Sequence, residues 1–108
     1  MENPRTQTLG YPRIGRKREV KRALESYWKG QLDPESLLQT VREVETEGWE
    51  TQLAAGIDRI AVGDATLYDH VLDWAFRLGL IPNRFKDFSG LDQYFVMARG
   101  APGVAALE

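Results

Sequence analysis

Ile57-Asp58-Arg59-Ile60-Ala61-Val62, closed by Gly63-Asp64, reads as a buried strand that runs into a tight loop. The second convincing strand is Thr6-Gln7-Thr8-Leu9, which stops at Gly10-Tyr11-Pro12. Pro12 also holds Tyr11 extended. Elsewhere the apolar periodicity is helical. Two parallel neighbours joined by a helical crossover make an α/β unit. Two strands do not complete a parallel sheet, whose faces and edges need cover. The strand count therefore points to part of a larger sheet. Taken alone, the chain reads as mostly helical with about two short strands.

Val20, Ala23, Leu24, Tyr27 and Trp28 predict a first helix over 16–29, with Gly30 as its stop. Asp33 caps a second helix and Pro34 takes its first position. Leu37, Leu38, Val41 and Val44 open its apolar stripe, and Trp49 and Leu53 continue it to Gly56. Gly48 weakens the middle of this helix by about 1 kcal/mol. A third helix follows Thr66, which has capping-box spacing to Asp69. Leu67, Val71, Leu72, Ala75 and Phe76 form its inner face, and Gly79 and Pro82 end it. Residues 83–90 read as a loop anchored by Phe85 and Phe88. Residues 91–98 read as a last helix, and 100–108 as a weakly structured tail. Trp28, Trp49 and Trp74 are assigned to core packing. No boundary divides residues 1–108 into separate domains.

With 43% hydrophobic residues in 108, the chain has material for one modest core. A formal net charge of -2 gives no support for nucleic acid or a membrane surface as partner. The absence of cysteine excludes disulfides, a thiol nucleophile and Cys-ligated metal. The one histidine, His70, excludes a His-rich metal site and reads as a packing and hydrogen-bonding residue at a core margin. No apolar run approaches the ~20 residues that span a bilayer. Met1 to Gly10 lacks a secretory stretch, and a cytoplasmic location is expected.

The segment Arg13 to Arg22 holds six basic residues in ten, gathered where the first helix begins. Cations there oppose the helix dipole, while the free N–H groups of that end suit an anion. Two readings stand side by side: a solvated basic face that pairs with Glu19 and Glu25, and a site for an anionic ligand. Gly10 to Gly15 is neither a dinucleotide fingerprint nor a P-loop. It is a Gly- and Pro-punctuated loop after a strand, a usual ligand position in α/β proteins. Asp64, after the other strand, either orients a ligand or helps cap the third helix.

Leu9-Gly10-Tyr11-Pro12-Arg13-Ile14-Gly15, followed by Arg18-Glu19-Val20-Lys21, resembles the start of the cobalamin-independent methionine synthases. Glu25 to Gly30, Ala55 to Asp58, Gly63-Asp64 and Tyr68 to Asp73 agree with the same family in the same order. The resemblance implies the opening units of an N-terminal (β/α)8 barrel. By that resemblance the chain is expected to be less than half of a barrel of about 250 residues, with Ala106-Leu107-Glu108 similar to family sequence that continues further, the other reading of Leu107-Glu108 being a cloning scar. It also implies an enzyme that transfers a methyl group from 5-methyltetrahydropteroyltri-L-glutamate to L-homocysteine. The family's Arg-Glu-Leu-Lys folate motif maps to Arg18, Glu19, Val20 and Lys21, with Val20 in place of leucine. Arg13, Arg16, Lys17 and Asp64 stand in support. The family's zinc, which activates homocysteine, has its ligands outside this chain. The implied partners are the folate polyglutamate and the remainder of the enzyme, and the chain alone is expected to be inactive. The readings that rival it are a small helical module that binds acidic ligands through Arg13 to Arg22, and a self-associating structural domain.

Overall fold

The computed structural model describes residues 3–107, so Met1, Glu2 and the Glu108 of the closing tripeptide lie outside it. The chain divides into two compact units, Met1–Ala65 and Thr66–Glu108.

The first unit is built on two packed helices, α1 (Glu19–Trp28) and α2 (Pro34–Ala54). Val20, Ala23 and Leu24 of α1 and Leu37 and Val41 of α2 are its buried apolar residues. The turn between the helices follows from Gly30, whose positive φ lets Gly30 N–H reach Tyr27 O and Gln31 N–H reach Ser26 O. Asp33 then caps α2 by accepting from Ser36 N–H at 2.8 Å, with Pro34 first in the helix, as the local chemistry predicts. The start of α1 departs from expectation by three residues, because Gly15 to Arg18 form a turn closed by Arg18 N–H on Gly15 O.

The buried face of α2 also differs. Leu53 is 67% exposed, and the face runs instead through Leu37, Val41, Gly48 and Gln52. Gly48 is the reason. A Cβ there would lie 2.8 Å from Cδ1 of Tyr11, so the glycine is the seat on which the tyrosine ring rests. Gln52 carries the contact on: its Nε2 donates to Gly48 O, and its Oε1 accepts from Thr8 Oγ1 at 2.6 Å.

The two expected strands shrink to a single parallel bridge, Gln7 to Arg59. Arg59 N–H donates to Thr6 O at 3.0 Å, and Asp58 Oδ2 accepts from Thr6 N–H at 2.8 Å. Beyond that bridge Leu9 and Val62 are exposed, so residues 57–62 are not the buried strand their composition predicts. A parallel pair with no further neighbour has uncovered faces and unpaired edges, and the ladder does not propagate.

The second unit holds α3 (His70–Arg77), a 3-10 turn (Asn83–Phe85) and α4 (Gly90–Arg99). Asp69, not Thr66, caps α3 by accepting from Leu72 N–H at 2.9 Å. The helix therefore starts later than expected, with His70 as its exposed first residue, and Leu67 lies outside it. Leu72 is buried, but Val71 and Trp74 are exposed, which corrects both the inner face and the core role of Trp74. The Trp74 ring is covered on one side by the Arg77 guanidinium, 5.3 Å from its centroid. Phe85 is fully buried and anchors its segment as expected, and Tyr94, Phe95 and Met97 of α4 are buried too. The Tyr94 hydroxyl donates to Asp73 Oδ1 and accepts from Tyr68 N–H. Burial, then the Asp73 carboxylate, push its ionisation well above the ordinary tyrosine range. The tail after Gly100 is tied down, contrary to expectation: Arg84 donates to Ala105 O and Ala106 O, and Leu107 N–H donates to Met97 O.

Replacing Gly48 with alanine tests the Tyr11 seat. At an open helical site the change is stabilising by about 1 kcal/mol. Here it should destabilise by about 1–3 kcal/mol, as overpacking does. In urea denaturation, Tyr11→Ala in the same chain should remove most of that penalty.

Candidate functional site

The candidate site is the loop 10–18 and the start of α1. Two contacts hold the loop at its base. Tyr11 N–H donates to Asp64 Oδ2 at 2.7 Å, and Gly10 approaches the same carboxylate so closely that a Cβ would lie 2.8 Å from Oδ2. Asp64 thus fastens one loop to the other; capping of α3 falls to Asp69 instead. The Tyr11 ring on Gly48 is the second contact. At its far end the loop closes on α1 through Val20 N–H to Ile14 O at 3.0 Å.

The cations of the segment have different fates. Arg16 turns toward α2, with Nε 3.3 Å from Glu47 Oε1 and Nη2 within 3.4 Å of Thr51 Oγ1. Lys21 pairs with Glu25 at 2.7 Å across one helical turn. The Lys21 hydrogen bond and charge hold the Glu25 carboxyl below its ordinary value. Both side chains are open to water, so the pair is weak and exchangeable. Lys17 and Arg18 are exposed. Arg13 lines a narrow crevice with Tyr11, Glu45 and Asp64. Val20 is fully buried and contributes to the core.

Glu19 resolves part of the charge problem at this helix start. It is the acidic residue of the first turn, where the helix dipole favours it. Its Oε1 accepts from Lys17 N–H at 3.0 Å, and its Oε2 is enclosed without a partner. Gly15, at φ +92°, makes room for that oxygen, since a Cβ there would collide with it. Tyr11, Pro12, Gly15, Arg16, Val44 and Glu47 bound a hollow of about 140 Å³.

Glu45 is the residue that pattern reading missed. On sequence it is one more acid on a helix, yet it faces the crevice beside Asp64. Burial, and then repulsion from Asp64, raise its pKa. Among the described residues no group of three or more His, Cys, Asp or Glu is placed to hold a metal ion. No helix among them is long and apolar enough to cross a membrane.

A Gly- and Pro-punctuated loop thus leads from a segment held by one parallel bridge into a basic helix start. The family model described as "Cobalamin-independent synthase, N-terminal domain" matches residues 5–108, and the chain belongs to that family. It is 64% identical over 103 residues to a 5-methyltetrahydropteroyltriglutamate–homocysteine methyltransferase of Synechococcus sp.. It is 58% identical over 103 residues to the protein of the same name from Thermosynechococcus vestitus, and 53% over 106 to that of Nitrosomonas europaea. Each match covers 95% of this chain, which spans 14% of the length of these relatives.

The Glu45 environment predicts a pH effect. A carboxyl with a raised folded-state pKa leaves the native protein holding more protons than the unfolded chain once pH exceeds the unfolded value of about 4.3. Stability is then lost as pH rises through the folded pKa. Glu45→Gln should raise the melting temperature at about pH 7. The gain should vanish below about pH 4, where the carboxyl is protonated in both states.

Proposed function

We propose that the chain is the opening part of an enzyme that transfers a methyl group from 5-methyltetrahydropteroyltri-L-glutamate to L-homocysteine, and that its own task is to hold the polyglutamate tail. The observation that carries the second half is the pair Arg18 and Lys21. Arg18 is the exposed left-handed N-cap of α1 and Lys21 lies in its first turn, at the end of a loop braced at both ends. The names of the relatives support the first half.

A γ-glutamyl tail is a flexible string of carboxylates. The surplus of cations over residues 13–22 attracts it from a distance, an effect that salt weakens. Arg18 offers a guanidinium fork that matches a carboxylate with two parallel hydrogen bonds. Lys21 exchanges its exposed Glu25 partner for a second tail carboxylate. Glu19 and Val20 complete the motif, and Arg13, Arg16, Lys17 and Asp64 shape or charge its surroundings. The zinc implied by the family resemblance would activate the homocysteine thiol, but the residues present do not suit it. With no cysteine and a single histidine, this chain offers no donor set for that ion. Methyl transfer therefore belongs to the enzyme as a whole, and the chain alone is inactive. The remainder of the enzyme is its main partner, and the exposed Val71 and Trp74 of α3, with Leu78 just after it, support a need for further polypeptide.

Calorimetric titration with 5-methyltetrahydrofolate triglutamate, against the monoglutamate, tests the reading. Tail-dependent binding that weakens with salt is expected. Arg18→Ala with Lys21→Ala should lower the affinity about tenfold or more, given the usual worth of charge-assisted hydrogen bonds. Equal binding of the two ligands, or an unchanged double variant, would contradict it.

A further inference from the structure

A carboxylate is an odd member of a motif that receives a polyanion. Glu19 sits between Arg18 and the buried Val20, and facing the tail it would repel it. The structure turns it the other way. Oε1 is occupied by the Lys17 N–H, and Oε2 is enclosed against Gly15, whose missing side chain makes the space. Oε2 is not offered to solvent at the helix start.

What the inward turn accomplishes is visible one residue earlier. Arg18 has φ 60° and ψ 35°, and it is the one non-glycine among the described residues with a positive φ. An L-residue adopts this left-handed conformation only at a cost, so something nearby must hold it there. The flanking bonds are the holders. Arg18 N–H is on Gly15 O, Lys17 N–H is on Glu19 Oε1, and Val20 N–H is on Ile14 O. The last is secured by the burial of Val20. Of these, the Glu19 bond alone is made by a side chain, and it spans Arg18 from one side to the other. The conformation it spans sets the direction in which Arg18 leaves the chain, away from the path of a residue in regular helix. The Arg18 side chain has no hydrogen bond or ion pair of its own among the described residues.

We infer that Glu19 is a positioning residue: its carboxylate, bonded to the Lys17 N–H and seated over Gly15, holds Arg18 left-handed so that the guanidinium faces the polyglutamate tail, and does not itself touch the tail. This inference rests on the polyglutamate reading for its ligand, but the conformation of Arg18 can be measured without one. The sign of the effect separates it from plain electrostatics. Removing a negative charge beside a polyanion site should tighten binding. Removing a positioning carboxylate should weaken it.

The test uses this chain with Glu19→Ala, Glu19→Asp and Glu19→Gln. Alanine removes the brace. Aspartate keeps the charge but is one methylene short of the Lys17 N–H, and glutamine keeps an acceptor oxygen at full reach. Two readouts are taken: affinity for 5-methyltetrahydrofolate triglutamate, and the one-bond Cα–Hα coupling of Arg18 by NMR, which distinguishes positive from negative φ. Alanine and aspartate should each lower the affinity about fivefold and move Arg18 to negative φ, while glutamine keeps both near the parent. If alanine does not fold, aspartate carries the same prediction. Affinity that is unchanged or higher in the alanine or aspartate variant, or an Arg18 that keeps positive φ in it, overturns the inference. If the parent chain does not bind the triglutamate at all, the polyglutamate reading fails instead, and the coupling still decides whether Glu19 positions Arg18.

Discussion

The ring of Tyr11 rests on the backbone of α2 at Gly48, and the geometry of the first unit depends on that contact. A helix surface normally keeps a neighbour at the distance of its Cβ atoms. Glycine removes that spacer, so a large ring approaches the helix itself. Tyr11 is then pinned from two directions, by the helix beneath its ring and by Asp64 on its N–H. The loop beyond it enters α1 from a fixed point, and Val20 N–H on Ile14 O closes the far side. Thr8, bonded to Gln52 one turn beyond Gly48, extends the same seam toward the parallel bridge.

Electrostatics at the α1 start follow from this frame. Six cations in ten residues would be self-repelling if all faced one way. The braced loop separates them. Arg16 is drawn to Glu47 on α2, Lys21 is loosely held by Glu25, and Arg18 stays exposed. Glu19 supplies the negative charge that the helix dipole favours, and does so facing inward.

How much of this was legible in the sequence depended on how local the cause was. The Asp33-Pro34 start of α2 and the Gly30 stop of α1 were legible, since cap chemistry involves neighbours only. Gly48 read as a weak point in a helix because its partner, Tyr11, lies far away along the chain. The apolar stripe was misplaced toward Leu53 for the same reason. Thr66 and Asp69 are both cap residues, but Thr66 is buried and the choice between them is tertiary. The strands were legible as segments but not as a ladder, because strand composition describes a residue's fitness for a sheet and not whether its neighbours are present. At the site, Arg18 and Lys21 were picked out by charge and by family resemblance. The inward turn of Glu19, the clasp of Asp64 on Tyr11 and the crevice position of Glu45 each needed coordinates.

Whether the loop–helix junction receives a string of carboxylates can be measured without the rest of the folate. The most direct measurement is an NMR titration of the 15N-labelled chain with tri-γ-glutamate alone, which carries the tail without the pteridine. Saturable shifts concentrated on the amides of residues 15–22 and on the Arg18 side chain are expected, with Thr66 onward unmoved. Shifts scattered over every exposed lysine and arginine, or none at residues 15–22, would contradict it.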